Sequence, residues 1–548
     1  MRFALPRFRR KRRDPRPLIG ILQPYARPGY WQRHRRLGLT FLGFFAFFYG
    51  AFFGITTVYF LVQLAVPLVI LMLLVIWLLP ETGKAPVKVL ERLFFAFMVA
   101  LLFWPNYLAL AIPGLPWITA IRLTVAPLAF VFLLSLSQSA SFRAELKTIL
   151  DASPLVWKLV TAFTIMAVVS VGISIEPSTS LGGLVVVLLN WTLIFFVAAY
   201  VLAKEGRMER FAYLIWFAAL YVCLIGAWEA RTGAVPWAGH IPSFLKIEDP
   251  NVQGILAGST RSGGARVQSK FTTPLSLAEF ISCSLPFVFF VIFYGKRWTF
   301  RILAIFTVPL IFYIVHETDA RLGIIGCIMA IVLFPALYGL KKFRSDKSSL
   351  IAPAMVLGVP AAGFLFLLST FFIGRIGKRV WGSGMQVYST NVRYDQLHGA
   401  IPKILTHPWG YGLEKGAVVL DYRLDNGFLT IDSYYLSLTL DLGLVGMLSF
   451  AGMLVATIYT LLNAILRAET IDRDLTLMGT VLIVVIQFTV IKLVLAQVET
   501  HAYFFAVLGG AVGLAYRHAI AKPVQPAVQP PTERATRVPR KLGRPALH

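Results

Sequence analysis

The sequence predicts an all-α, polytopic integral membrane protein with about 14 transmembrane helices, each roughly 20 apolar residues long. Of its 548 residues, 57% are hydrophobic and only 14% are charged, and the mean hydropathy is +0.72. One soluble core cannot hide that much apolar surface, so lipid must surround much of the chain. The apolar runs alternate with short gaps in which Lys and Arg gather, which is typical of multi-pass membrane proteins.

The individual spans are predicted by matching each apolar run to a hydrocarbon core roughly 30 Å thick. Runs of suitable length lie at approximately 39–56, 58–80, 92–112, 120–138, 155–175, 182–203, 210–229, 273–294, 301–316, 322–340, 350–373, 434–463, 475–497 and 500–517.

The orientation of these spans is predicted from the charge of the gaps between them. Every second short gap carries two or three basic residues, as in Lys204, Arg207 and Arg210, and such gaps face the cytoplasm. The intervening gaps nearly lack Lys and Arg, so they are expected to face outward together with the stretch "HETDA" at 316–320.

The formal net charge of +26 does not indicate a nucleic-acid partner. The basic residues concentrate at the termini and in the short gaps, where they set the topology and attract anionic membrane lipids.

Three regions follow from the composition. Residues 1–37 form a basic cytoplasmic N-terminal segment, and residues 38–517 form the transmembrane domain, with long outward loops at about 230–272 and 374–433. Residues 518–548 are rich in proline and basic residues without an apolar period, which predicts a disordered cytoplasmic tail.

The two long outward loops carry arginines, among them Arg266, Arg393 and Arg423. These side chains either form a solvated surface or converge on an anion, since a guanidinium group binds phosphate oxygens through paired hydrogen bonds. Arg321 is the most informative, because a cation at a helix N-terminus is unfavourable without an anion nearby. Glu317 and Asp319 could supply that negative charge within the chain, as could an arriving phosphate.

The second long loop contains an amphipathic helical pattern, in which Tyr394, Leu397, Ile401, Ile404 and Leu405 recur at helical spacing. A helix lying at the membrane surface is therefore expected there. His407 follows as either a loop residue or a base.

Asp432 lies at the entry of the next apolar span. It either caps the helix or orients and deprotonates a substrate hydroxyl.

Four tracts together resemble a known family. "HPWGYGLEKG" followed by "IDSYYLSLTLDLGLVGMLSF" resembles the signature of the O-antigen ligase and O-antigen polymerase superfamily of integral membrane glycosyltransferases. "RVQSKFTTPLSLAEF" resembles an arginine-containing tract that precedes a membrane helix in that superfamily, and "DARLGIIG" resembles its Ser-Arg-x-Gly tract. The resemblance extends from about residue 230 to 455.

The resemblance implies a GT-C-like, metal-independent glycosyltransferase without a cofactor, which would make 38–517 a glycosyltransferase domain. Its donor would be a glycan on undecaprenyl pyrophosphate at the periplasmic face of the bacterial inner membrane. By position, Arg266 and Arg321 match the arginines that the family uses against the pyrophosphate. A polysaccharide flippase and a chain-length regulator are the expected protein partners.

The chain also departs from the ligase pattern. Ile431 and Asp432 replace a histidine-asparagine pair, and Ala320 replaces the serine before the arginine. We therefore expect a polysaccharide polymerase rather than a ligase acting on lipid A core.

The expected site contains Arg266 and Arg321 at the leaving diphosphate, and His407 or Asp432 at the acceptor hydroxyl. Further substrate-binding residues are expected to be Arg393, Arg423 and Glu317. A lipid-linked oligosaccharide flippase or other transporter is the third hypothesis, for which Lys492 is the best midplane charge.

Overall fold

The computed structural model describes 40, 43–44, 70–79, 81, 83–110, 118–247, 259–261, 264–345, 347–348, 350–372, 385–423, 429–468 and 472–521. The predicted N-terminal segment, most of the first two predicted spans and most of the C-terminal tail lie outside these residues. The chain divides into two compact units, Met1–Pro80 and Glu81–His548, and everything below concerns the second.

Helices dominate the second unit. In chain order they are α1 Val87–Phe103, α2 Ala120–Gln138, α3 Ala140–Asp151, α4 Pro154–Gly172, α5 Pro177–Val186, α6 Leu193–Leu202, α7 Arg207–Thr232, α8 Pro274–Tyr294, α9 Trp298–Glu317, α10 Arg321–Ser345, α11 Ile351–Phe372, α12 Met385–Thr406, α13 Gly416–Leu420, α14 Tyr434–Arg467, α15 Arg473–Ile491 and α16 His501–Ala521. A π-helical turn, Val187–Thr192, joins α5 to α6.

Ten of the helices in the described part of the chain are long and apolar enough to cross a membrane, counting α5 through α6 as one. All ten coincide with predicted spans, so the prediction of an all-α multi-pass membrane protein is confirmed. The predicted span 350–373 is also a helix, α11, but it is not among the ten.

The predicted span 92–112 is wrong in its length. The helix α1 has only 17 residues, and the chain is extended at Trp104, which has φ −87° and ψ 140°. Pro105 follows, and a proline disfavours the helical conformation of the residue before it.

The predicted span 475–497 is also too long, because α15 ends at Ile491 and residues 492–500 are not helical.

The helix α8 lies at the centre of the bundle. In its most apolar stretch 83% of the residues are buried, against 28% in the corresponding stretch of the neighbouring α9. It packs against α7, α9, α10 and α15. The loop that precedes α8 is therefore held over the middle of the bundle.

Two small sheets connect the loops. The strand β1, Leu108–Leu110, pairs antiparallel with both β2, Ile118–Thr119, and β3, Leu245–Ile247. The strands β4, Ser259–Arg261, and β5, Gly264–Arg266, form a hairpin. The first sheet pairs the segment after α1 with the first long loop, so both lie at the same end of the bundle.

Candidate functional site

Arg266 and the turn before Arg321 lie against each other. Arg266 ends β5, and its Nε donates a hydrogen bond of 2.9 Å to the carbonyl oxygen of Thr318. The next backbone N–H, that of Val267, donates to the carbonyl of Glu317 at 3.2 Å. Two hydrogen bonds to backbone carbonyls of "HETDA" therefore connect it to the tract that begins at Arg266.

Within "HETDA", His316 and Glu317 end α9, and residues 318–320 form the turn that leads to α10. Asp319 adopts the left-handed conformation with φ 48°, and α10 begins at Arg321, whose side chain is exposed. The carboxylate of Glu317 lies 3.2 Å from Nδ1 of His316.

The tract after Arg266 is buried and anchored. The carboxylate of Glu229 on α7 accepts the backbone N–H groups of Gln268 at 3.2 Å and of Ser269 at 2.6 Å. Lys270 donates from Nζ to the carbonyl of Leu101 at 2.8 Å, and burial lowers the pKa of Lys270 to about 8. These contacts hold the base of the loop that presents Arg266. Sequence reasoning missed Glu229, because it lies inside an apolar run.

Arg393 and Asp432 form an ion pair at the entry of α14. Arg393 Nε lies 3.2 Å from Asp432 Oδ2. The backbone N–H of Asp432 donates to Gln396 Oε1 at 3.0 Å, and Gln396 Nε2 donates to the carbonyl of Thr430 at 3.2 Å. Ser433 occupies the N-cap position of α14, so Asp432 is not the cap.

Burial raises the pKa of the Asp432 carboxyl above its ordinary value, and the charge of Arg393 opposes that rise. The side chain of Asp432 is still 26% exposed. A carboxylate that is partly desolvated and open to solvent can exchange a proton with a bound hydroxyl group.

His407 lies far from this ion pair. The helix α12 carries the chain from Arg393 to Thr406, which are 13 residues apart, or about 20 Å at the rise of an α-helix. His407 Nδ1 lies 2.9 Å from the hydroxyl of Tyr411. His407 and Asp432 are thus too far apart to act on one hydroxyl group.

The predicted amphipathic helix is α12. Its buried face includes Val392, Gln396 and Ala400. Ile404 is partly buried against the cluster of Ala400, Leu420 and Leu440. The other four apolar residues of the predicted pattern are exposed, namely Tyr394, Leu397, Ile401 and Leu405. Their contact with the membrane surface stays a prediction.

The tract "HPWGYGLEKG", residues 407–416, packs against a break in α14 and is called the clasp below. At Gly443 the backbone leaves the helical conformation, with φ 73° and ψ −177°. The N–H of Tyr411 donates to the carbonyl of Leu440 at 2.8 Å, and the N–H of Leu444 donates to the carbonyl of Pro408 at 2.9 Å. Backbone groups released by the break are thereby paired again, as buried peptide groups require.

Two glycines of this tract are required by the close approach. Gly410 has φ 89°, and an added Cβ would collide with the carbonyl of Asp441. Gly412 has φ 106°, and an added Cβ would collide with Ser174. The tract is therefore a structural clasp, whereas in the sequence analysis it served only for His407 and for the family resemblance.

Asp441, a residue of α14, binds the C-terminal end of the clasp. Its Oδ1 accepts the backbone N–H groups of Lys415 at 2.9 Å and Gly416 at 2.6 Å. The ammonium group of Lys415 in turn pairs with Glu176, and this contact lowers the pKa of Glu176. Asp441 was not singled out from the sequence, since a lone acid in an apolar run has no diagnostic spacing.

Lys492 is not an isolated charge. Its Nζ lies 2.8 Å from Glu279 Oε1, and the two side chains are 0% and 1% exposed. Thr500 donates to the same carboxylate at 2.7 Å, and the carbonyl of Lys492 accepts the N–H of Tyr434 at 3.0 Å. This ion pair connects α8, the end of α15 and the start of α14.

Arg423 pairs with Asp421 at 3.0 Å and forms an antiparallel bridge with Leu429. The bridge places Arg423 beside the segment that leads from Leu429 to Asp432. In the described ranges, no group of three or more His, Cys, Asp or Glu residues could hold a metal ion.

Fold and site together define a multi-pass helical membrane protein with arginine-bearing loops gathered at one end of the bundle. A family model described as O-antigen ligase matches residues 306–451. The match begins within α9, includes Arg321, Arg393, the clasp and Asp432, and ends within α14. No curated protein matches the chain.

The match supports the O-antigen ligase and polymerase superfamily. It therefore supports an O-antigen ligase- or polymerase-type function and a glycosyltransferase-like enzyme. The superfamily suggests the bacterial inner membrane. Arg266 lies outside the matched residues.

Proposed function

We propose that this chain is a polysaccharide polymerase for O-antigen or exopolysaccharide at the periplasmic face of the membrane. A hydroxyl oxygen of one lipid-linked repeat unit attacks the anomeric carbon of a glycan on undecaprenyl pyrophosphate. The bond from that carbon to the pyrophosphate oxygen breaks, and the lipid pyrophosphate leaves with the bonding electrons.

The hydrogen bond from Arg266 to Thr318 carries this proposal. It brings an arginine of the first long loop to the turn that ends at Arg321, although the two arginines are 55 positions apart in the sequence. Negative charge grows on the leaving diphosphate in the transition state, and guanidinium groups already in place stabilise it. Two guanidinium forks fit diphosphate oxygens, so we propose that the reaction needs no metal ion.

The ion pair of Arg393 and Asp432 serves the acceptor in this proposal. Asp432 accepts the proton of the attacking hydroxyl group, and its burial favours the protonated form that results. Arg393 holds the carboxylate, and Gln396 holds the backbone of Asp432 by accepting its N–H.

The ligase remains the second candidate, since the matching family model is described as O-antigen ligase. Its acceptor would be a lipid A core sugar. Ile431 and Asp432 stand where the ligases carry a histidine-asparagine pair, and this difference favours the polymerase.

A transporter is less favoured, because Lys492 is neutralised by Glu279 within the bundle rather than presented to a substrate path.

The test is deletion of the gene followed by analysis of the surface glycan. Single repeat units on carrier lipid or core support a polymerase. Long chains stranded on carrier lipid support a ligase, and repeat units retained on the cytoplasmic face support a flippase. Arg231, an exposed arginine in the last turn of α7, supplies the control variant. Restoration by the wild-type chain and by Arg231→Ala, but not by Arg266→Ala, would connect the phenotype to the proposed site.

A further inference from the structure

A cleft lies at the end of the bundle opposite the candidate site. Its volume is about 50 Å³, and four helices line it, α8, α10, α14 and α15, through residues that include Tyr294, Phe334, Tyr338, Lys341, Ile465 and Gly479. The helix α8 runs 20 residues from Pro274, beside the anchored loop, to Tyr294, which is about 30 Å at helical rise. The cleft is therefore distinct from the arginine-bearing loops.

Gly479 keeps the floor of this cleft open. It lies inside α15, and an added Cβ would meet no atom within 4 Å. A glycine inside a helix costs about 1 kcal/mol relative to alanine. No close packing requires it here, and its effect is to leave an apolar slot beside Ile483 and Phe334.

The cleft opens at the level where the helix ends become basic. Arg344 in the last turn of α10 and Arg467 in the last turn of α14 are both exposed. The nearby acid Asp472 is engaged as the N-cap of α15, where its Oδ1 accepts the N–H of Leu475 at 2.7 Å. Tyr294 and Tyr338 line the cleft, and tyrosine is enriched where hydrocarbon meets the headgroup layer.

We propose that the cleft binds one phospholipid with an anionic headgroup from the leaflet at the basic end of the bundle. A short segment of one acyl chain fills the slot over Gly479, because that lining is apolar. The phosphate lies toward Arg344 and Arg467, because basic side chains at the membrane surface attract anionic headgroups. A free phosphate ion would gain nothing from the apolar slot.

Native mass spectrometry of the delipidated, full-length chain tests this site, with phosphatidylglycerol and phosphatidylcholine as probes. The wild-type chain should bind phosphatidylglycerol roughly tenfold or more tightly than phosphatidylcholine. Gly479→Leu fills the slot, and displacement of about two methylene groups should weaken phosphatidylglycerol binding roughly tenfold. Gly358→Leu is the matched control, since an added Cβ there also meets nothing within 4 Å.

The double variant Arg344→Gln with Arg467→Gln tests the headgroup separately. It should lower the affinity for phosphatidylglycerol to that for phosphatidylcholine, while both lipids still bind. Equal binding of the two lipids by the wild-type chain would overturn the proposal, as would unchanged binding in Gly479→Leu or equal losses in both leucine variants.

A second measurement needs no substitution. Phosphatidylglycerol with a photoreactive group in its acyl chain should label α10 near Tyr338 and α15 near Gly479 in the wild-type chain. Labelling confined to other helices would reject the site. Neither measurement depends on glycosyltransferase activity.

Discussion

Arg393 Nε lies 3.2 Å from Asp432 Oδ2, so an ion pair joins the helix of the second long loop to the entry of α14. Two effects on Asp432 oppose each other, because burial raises the pKa of its carboxyl and Arg393 lowers it. The balance between them makes the proposed base testable by pH.

Replacement of Arg393 by alanine should shift the pH dependence of turnover. A base must be deprotonated, so activity falls as the pH drops through its pKa. Without Arg393 the pKa of Asp432 rises further, and the acidic limb of the pH profile should move to higher pH. Asp432→Asn should remove most activity at every pH. A profile for Arg393→Ala that matches that of Arg231→Ala would exclude Asp432 as the base.

Replacement of either Arg266 or Arg321 by alanine should lower turnover by roughly a hundredfold or more, the scale of losing one preorganised charge donor. The amount of protein in the membrane should stay near normal. Lysine should restore only part of the activity, since a point charge cannot make two-pronged contacts. The measurement pairs protein level with glycan chain length. Normal chain length with both arginines absent would refute the diphosphate site.

Gly412→Ala should destabilise the folded chain. The left-handed φ of 106° is strained for alanine, at about 1–3 kcal/mol, and the added methyl group collides with Ser174. Thermal unfolding in detergent should show a lower midpoint for this variant. Gly182→Ala is the matched control, because its Cβ would meet no atom within 4 Å. Equal midpoints for the two variants would contradict the structural role of the clasp.

Single removal of Glu279 or Lys492 should cost about 3–5 kcal/mol, because each leaves a buried charge without its partner. The double variant Glu279→Leu with Lys492→Met should cost much less than the sum of the two. Unfolding of all three variants measures this coupling. Additive losses would show that the pair contributes no mutual stabilisation.

Cysteines introduced at His240 and Trp409 should react with an impermeant thiol reagent in intact spheroplasts. Both residues are exposed in the long loops. A cysteine at Trp298, which is exposed at the start of α9 beside Lys296 and Arg297, should react only after lysis. The background should lack the three buried native cysteines. The reverse labelling pattern would place the arginine-bearing loops in the cytoplasm and remove the proposed periplasmic reaction.

The sequence by itself determined the membrane class, the positions of ten spans and the tracts that resemble O-antigen ligases and polymerases. These properties are local, since hydropathy is read within one window and each tract within a few residues. The same local logic failed at Trp104 and Lys492, where an apolar run continued beyond the end of its helix.

Only the tertiary structure decided which charged groups meet. Glu279 and Lys492 are 213 positions apart, and Glu229 reaches the backbone of Ser269 across 40 positions. No periodicity relates such residues, because their contact depends on how the helices pack. Packing likewise separated His407 from Asp432. It also placed Gly410 against the break at Gly443, where a larger residue would not fit. The lipid-facing apolar runs are visible in one dimension, whereas the buried polar contacts exist only once the bundle has closed around them.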